Sequence, residues 1–99
     1  MAGDVVIAPE AEWDIAEAYA WYEARGVGLG ERFLVALDAR IALIHRQPLL
    51  FARVHEEYRR ALIRRFPYAV FFDCSEVAVT VYAVFHTSRD PGKWRERLP

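Results

Sequence analysis

The stretch Tyr58–Trp94, YRRALIRRFPYAVFFDCSEVAVTVYAVFHTSRDPGKW, decides the fold of this chain. Its middle holds two dense runs of β-branched and aromatic residues, Tyr68–Cys74 and Val77–His86, separated only by Ser75-Glu76. Upstream, Tyr58–Arg65 alternates arginine with apolar residues and ends at Phe66-Pro67. Links this short cannot carry a crossover, so the three runs predict an antiparallel meander. Successive side chains of a strand point to opposite faces. Strict alternation places Tyr68, Val70, Phe72 and Cys74 on one face with Val79, Val81, Ala83 and Phe85. The other face then shows Ala69, Phe71, Asp73, Thr80, Tyr82 and His86.

The segments before the meander supply what covers its apolar face. Asp4–Ala8 reads as a short strand ended by Pro9, which suits the first turn of a helix predicted over Pro9–Arg25. Glu10 and Glu12 complement the positive end of that helix's dipole. Its apolar arc is wide, with Ile15, Tyr19 and Tyr22 on one side and Trp13, Ala16 and Ala20 beside them. Gly26-Val27-Gly28 permits a tight turn into a second helix over Leu29–Gln47. There Phe33, Leu34, Leu37, Ile41 and Ile44 recur at helical spacing, and Pro48 ends the run. Leu49–Glu57 reads as a connecting loop. After the meander, Asp90-Pro91 is a cap and first position for a terminal helical turn with Lys93, Trp94 and Arg95. The order is β-α-α-β-β-β plus a short last helix, an α+β fold with a helical hairpin packed on an antiparallel sheet.

The 99 residues suit a single domain over 1–99. Aromatic residues make up 14% of the chain, which is rich for a molecule this small, so part of that area either fills the core or awaits a partner. The net charge of −1 is unevenly placed. Residues 1–50 hold four basic and eight acidic side chains, and residues 51–99 hold nine and six. That balance disfavours non-specific grip on long nucleic acid, which needs a larger positive charge. It leaves open a local arginine patch around Arg59, Arg60, Arg64 and Arg65. No run is apolar enough to span a membrane, and Met1–Ala8 lacks the basic region of a signal peptide. With a lone Cys74, the chain has neither a disulfide nor Cys/His metal spacing. The expected location is the cytoplasm, with no cofactor, no metal and no membrane contact.

No phosphate loop or nucleophile elbow is present, so chemistry must come from the sheet's open face and its ends. Arginines beside Phe71, Tyr82 and His86 fit two readings. One is recognition of RNA bases and phosphates, or of an acidic apolar peptide. The other is a solvated sheet with arginine stems laid over apolar neighbours. His86 is either a hydrogen-bonded structural residue or an acid–base group, depending on its partners. Arg89 and Asp90 read as a pair locking the corner.

The chain resembles the RelE/ParE superfamily of type II toxin–antitoxin toxins, in its ParE-like branch. The resemblance lies in the hairpin PEAEWDIAEAYAWYEARGVGLGERFLVALDARIALIHRQP, in RRALIRRFPYAVFF and in VTVYAVFHTSRDP. It implies a helical hairpin on an antiparallel sheet, which agrees with the pattern above. It also implies a toxin that inhibits DNA gyrase by binding. A co-encoded antitoxin would neutralise it in a hetero-oligomer, wrapping the toxin with its carboxyl-terminal segment and meeting operator DNA, which the toxin reaches only indirectly. RelE-like relatives instead cut messenger RNA on the ribosome. Where they carry a strand arginine, this chain has Ala69 within Pro67-Tyr68-Ala69-Val70-Phe71. After His86 it has Thr87 where one nuclease lineage has tyrosine, and Trp94 stands where a terminal tyrosine would be sought. Under the resemblance, Arg64, Arg65, His86, Arg89 and Trp94 form the toxic surface, with His86 catalytic only in the nuclease alternative. Tyr19, Tyr22, Val54, Arg59 and Arg60 meet the antitoxin. A third alternative is a degenerate member that binds antitoxin and nothing else.

Overall fold

The computed structural model describes residues 3–99; Met1 and Ala2, part of the Met1–Ala8 stretch read above, lie outside the described residues. Five strands and three helices follow one another as β1 (Asp4–Ile7), α1 (Pro9–Arg25), α2 (Leu29–Arg46), β2 (Arg53–His55), β3 (Tyr58–Leu62), β4 (Tyr68–Cys74), β5 (Ala78–His86) and α3 (Pro91–Arg97). The sheet order is β1-β5-β4-β3-β2. The meander is antiparallel as its short links require, while β1 joins β5 in parallel, Val5 opposite Val79.

The hairpin turn is built by glycine and a carboxylate. Gly28 sits at φ 89°, a left-handed backbone that side chains disfavour. The Glu23 carboxylate accepts the Gly28 amide at 3.1 Å and the Gly30 amide at 2.9 Å, satisfying donors that open α2 would otherwise leave bare. Gly30 is buried against Tyr19, where an added Cβ would stand 2.7 Å from the ring. The turn is therefore closed by contact from α1 rather than by local sequence alone.

Between hairpin and sheet lies the main core. Phe33, Leu37 and Ile44 of α2 meet Ala61, Val70, Phe72, Val79, Val81 and Val84 of the sheet, with Ala11 and Ala18 of α1. Tyr22 stacks on Phe33 at 5.4 Å and joins Phe66 and Tyr68 in an aromatic cluster that closes one end. A second, smaller core covers the other face: Ala69, Phe71, Ala83 and Phe85 under Trp94 of α3, whose ring stacks on Phe71 at 4.9 Å.

Four expectations need correction. Strict alternation fails in β5, where Phe71 pairs with Ala83 but Phe72 pairs with Val81, leaving Tyr82 as an extra residue. This bulge moves Ala83 and Phe85 to the α3 face and turns Val84 into the hairpin core. His86 consequently pairs with Tyr68 and packs edge-on against that ring on the hairpin side. The face expected to be open is covered by α3. The segment Leu49–Glu57 holds a helical turn at Pro48–Leu50 and the edge strand β2, bulged against β3. Arg64 and Arg65 lie beyond β3 on the turn into β4, where Arg65 adopts φ 73°.

Candidate functional site

The β3–β4 turn and the end of β5 meet at one end of the sheet. The Ile63 amide donates to the Tyr68 carbonyl at 2.9 Å, and the Thr87 amide to the Pro67 carbonyl at 2.8 Å. These bonds bring Arg64, Arg65, His86 and Arg89 to the same rim. Trp94 does not join them: it is 8% exposed, beneath α3 on the second face. Asp90 does not pair with Arg89. Its carboxylate accepts the Gly92 amide at 2.8 Å and caps α3, as its place before Pro91 suggested.

His86 is held in a defined tautomer. Its Nδ1 accepts the Ser88 amide at 3.0 Å and lies 2.8 Å from the Ser88 hydroxyl. An amide can only donate, so Nδ1 carries the lone pair and the neutral ring bears its proton on Nε2. In that arrangement Ser88 engages the Nδ1 lone pair, and the ring's N–H is on Nε2. Arg89 lays its guanidinium over Phe85 at 4.4 Å. Its charge partly offsets the burial that raises the Tyr68 phenol above its ordinary range.

The residues expected to meet a partner are scattered. Tyr22 is in the aromatic cluster, its phenol pushed up by burial first and Tyr68 second. Tyr19 closes on Gly30 between the helices, while Val54 packs under the α3 cluster. Arg59 donates from Nη1 to the Phe51 carbonyl, and Arg60 is exposed opposite Phe71.

Two features went unread in the sequence. Asp14 of α1 is an acidic side chain only 7% exposed. Beyond Val81 the strand β5 has no neighbour on its outer edge, because β1 ends at Ile7. There Asp14 Oδ2 accepts the Val84 amide at 3.0 Å. Arg97 reaches across from α3, giving two hydrogen bonds to the Asp14 carboxylate, at 2.8 and 3.1 Å, and one to the Tyr82 carbonyl at 3.3 Å. A side-chain pair thus replaces a missing strand and blocks the edge from pairing elsewhere. The signal was a carboxylate in the buried register of small residues, Ala11, Asp14 and Ala18. The second feature is an apolar stripe on the outer face of α2, where Val35, Ala39 and Leu43 lie beside Arg32, Arg40 and Arg46.

Among the described residues no three His, Cys, Asp or Glu side chains converge on a metal position, and no helix is long and apolar enough to cross a membrane. A helical hairpin packed on a five-stranded sheet with a short terminal helix is the arrangement expected of a RelE/ParE-type toxin domain. The model of the ParE toxin of the type II toxin–antitoxin system parDE matches residues 5–91, and the chain belongs to that family. Among solved structures it is similar to a chromosomal ParDE toxin–antitoxin system from P. aeruginosa, with a TM-score of 0.72 at 12% identity, over 87% of this chain and 96% of that one. That likeness is one of fold. No curated protein matches it significantly in sequence.

Proposed function

We propose that this ParE-family toxin acts by binding a protein target, DNA gyrase, and that a co-encoded antitoxin holds it inactive. The observation that supports binding over RNA cleavage is the state of His86. Its Nδ1 is engaged by the Ser88 amide and lies beside the Ser88 hydroxyl, a local structural role that fits a binding surface better than a nucleophile-activating base. Ala69 and Thr87 agree with this reading, since they stand where nuclease relatives carry side chains suited to phosphoryl chemistry. The acting surface is the rim of Arg64, Arg65, His86 and Arg89, which suits an acidic protein surface. Trp94 supports that rim from behind, through Phe71 and Phe85.

Induced expression of the toxin alone should arrest growth with DNA breaks and a DNA-damage response, and co-expression of the adjoining small open reading frame should restore growth. Rapid translation arrest with cleaved messenger RNA, abolished by His86→Ala, would sink the binding reading in favour of an endonuclease.

A further inference from the structure

The open edges of the sheet differ in how they are guarded. At one side β2 is three residues long, bulged against β3 and flanked by the Arg53–Glu57 ion pair. At the other, the outer edge of β5 beyond Val81 is plugged by Asp14 and Arg97. The strand β1 beside it has neither device. Asp4-Val5-Val6-Ile7 holds no lysine, proline or bulge, and Val5 and Val6 are 37% and 45% exposed. An apolar edge with unpaired backbone groups is a template for another strand.

The ladder to β5 sets which backbone groups of β1 are free. The Asp4 amide donates to the Val77 carbonyl at 3.1 Å, and the Ala8 amide to the Val81 carbonyl at 2.9 Å. With a strand period of two, Val6 also faces β5, and Val5 and Ile7 turn their N–H and C=O groups off the free edge. The side-chain faces are equally defined. Val5 pairs with Val79 and Ile7 packs on the main core, so both lie on the hairpin side, while Val6, paired with Thr80, lies on the other. Ile7 also lines an apolar groove of about 540 Å³ with Ile15, Ala16 and Leu34 of the hairpin.

We propose that β1 pairs with β1 of a second copy of this chain, antiparallel and centred on Val6, so that two five-stranded sheets join across a two-fold axis. The occupant is a second copy because the edge is complementary to itself. About Val6, Val5 of each copy falls opposite Ile7 of the other. These are the positions whose backbone groups are free, and each such pair exchanges both its N–H···O=C bonds. Val6 meets Val6 on one face; on the other, Val5 stands beside Ile7 at the mouth of the apolar groove. Asp4, the strand's one charged residue, falls opposite Ala8, and Gly3 opposite Pro9, so no like charges meet along the ladder and the smallest residue lies against the proline that ends it. A two-fold contact of this kind closes on itself and covers both edges at once. Because β1 runs parallel to β5, whose far end carries the arginine rim, the two rims stand at opposite ends of the dimer and both remain open.

Sedimentation equilibrium of the purified full chain is the first test. Wild type should pass from 11.5 kDa towards twice that mass as its concentration rises from about 1 to about 300 μM, since a contact this short lies at the small end of interface sizes. Val6→Lys sets two ammonium groups face to face on the axis and should weaken the dimer by about tenfold or more, with circular dichroism checking the fold at this exposed position. Oxidation reads the register. In a non-hydrogen-bonded antiparallel pair the Cα atoms are about 4.5 Å apart, within disulfide reach. Val6→Cys should therefore give a disulfide-linked dimer. Val5→Cys, whose two copies stand a diagonal apart and beyond about 7 Å, should cross-link no more than wild type, which has Cys74 alone. These oxidations decide the outcome if Val6→Lys misfolds. A wild type that stays monomeric throughout, a folded Val6→Lys variant that dimerises within about threefold of wild type, or equal cross-linking at the two positions would each overturn the proposal. So would a monomeric toxin whose Val6→Lys variant loses affinity for the product of the adjoining open reading frame, because the edge would then belong to that partner.

Discussion

The two faces of one sheet are held by different means. On the hairpin side, two long helices bury Phe33, Ile44, Val70, Phe72 and Val81 in a broad apolar layer. On the other, seven residues of α3 cover four sheet side chains with one tryptophan and are fastened at their end by an ion pair. The first face is bulk burial, which is non-directional and tolerant of detail. The second depends on a few oriented contacts, and removing one leaves little behind. The difference teaches where this fold is strong and where it can be opened.

The largest effect should come from testing that contrast directly. Phe72 is fully buried, and Phe72→Ala should cost about 4 kcal/mol, enough to unfold much of a domain of ordinary stability. Trp94→Ala should cost about 2 kcal/mol, because its site lies at the rim of a small cluster under a terminal helix that can collapse into the gap. Urea denaturation of the two variants measures both. Equal losses would break the comparison, since the α3 face would then be as much a core as the hairpin face.

The edge latch should come next. Asp14→Ala strands the Val84 amide and the Arg97 guanidinium together, with an expected loss of about 2–3 kcal/mol. Arg97→Ala should cost only about 1 kcal/mol, because Asp14 still accepts the Val84 amide. The double variant should lose less than the sum of the two, which a thermodynamic cycle reads as their coupling. Strict additivity would mean that the two residues act separately and that α3 is not fastened through Asp14.

The same contrast explains what was legible in the sequence. The hairpin, the meander and the α3 cap were readable because each is local: helical periodicity, short links, and Asp90 before Pro91. The face assignment failed at Tyr82 because Val81-Tyr82-Ala83-Val84-Phe85 is apolar throughout, and a one-residue slip leaves no trace in a strand buried on both sides. The strand β2 is only Arg53–His55 and carries no period of its own. The Asp14–Arg97 pair joins residues at opposite ends of the chain, so no local pattern announces it. The rim of Arg64, Arg65, His86 and Arg89 was partly readable from the meander, which brings turn and strand end together. Trp94 was misplaced with them because its helix turns back over the sheet.

The smallest effect is also the sharpest probe of the two faces. Tyr82 stands on the α3 side and donates from its hydroxyl to Asp73 Oδ2 at 3.2 Å. Burial first, and then the Asp73 charge and hydrogen bond, raise its phenol above the ordinary 10.0. A raised phenol holds its proton more firmly folded than unfolded. Its contribution is therefore fully present below about pH 10 and is lost as pH rises through the folded value. On the hairpin side, Tyr22 and Tyr68 are raised in the same direction, chiefly by burial. Tyr82→Phe should cost about 1 kcal/mol at neutral pH, and the gap to wild type should shrink above about pH 10 as the wild-type phenol begins to ionise. The alkaline decline that survives in Tyr82→Phe is then the share of the other raised tyrosines, Tyr19, Tyr22, Tyr58 and Tyr68, read by urea denaturation between about pH 8 and about pH 11. A gap that stays constant across that range would mean that the Tyr82–Asp73 bond does not hold the second face.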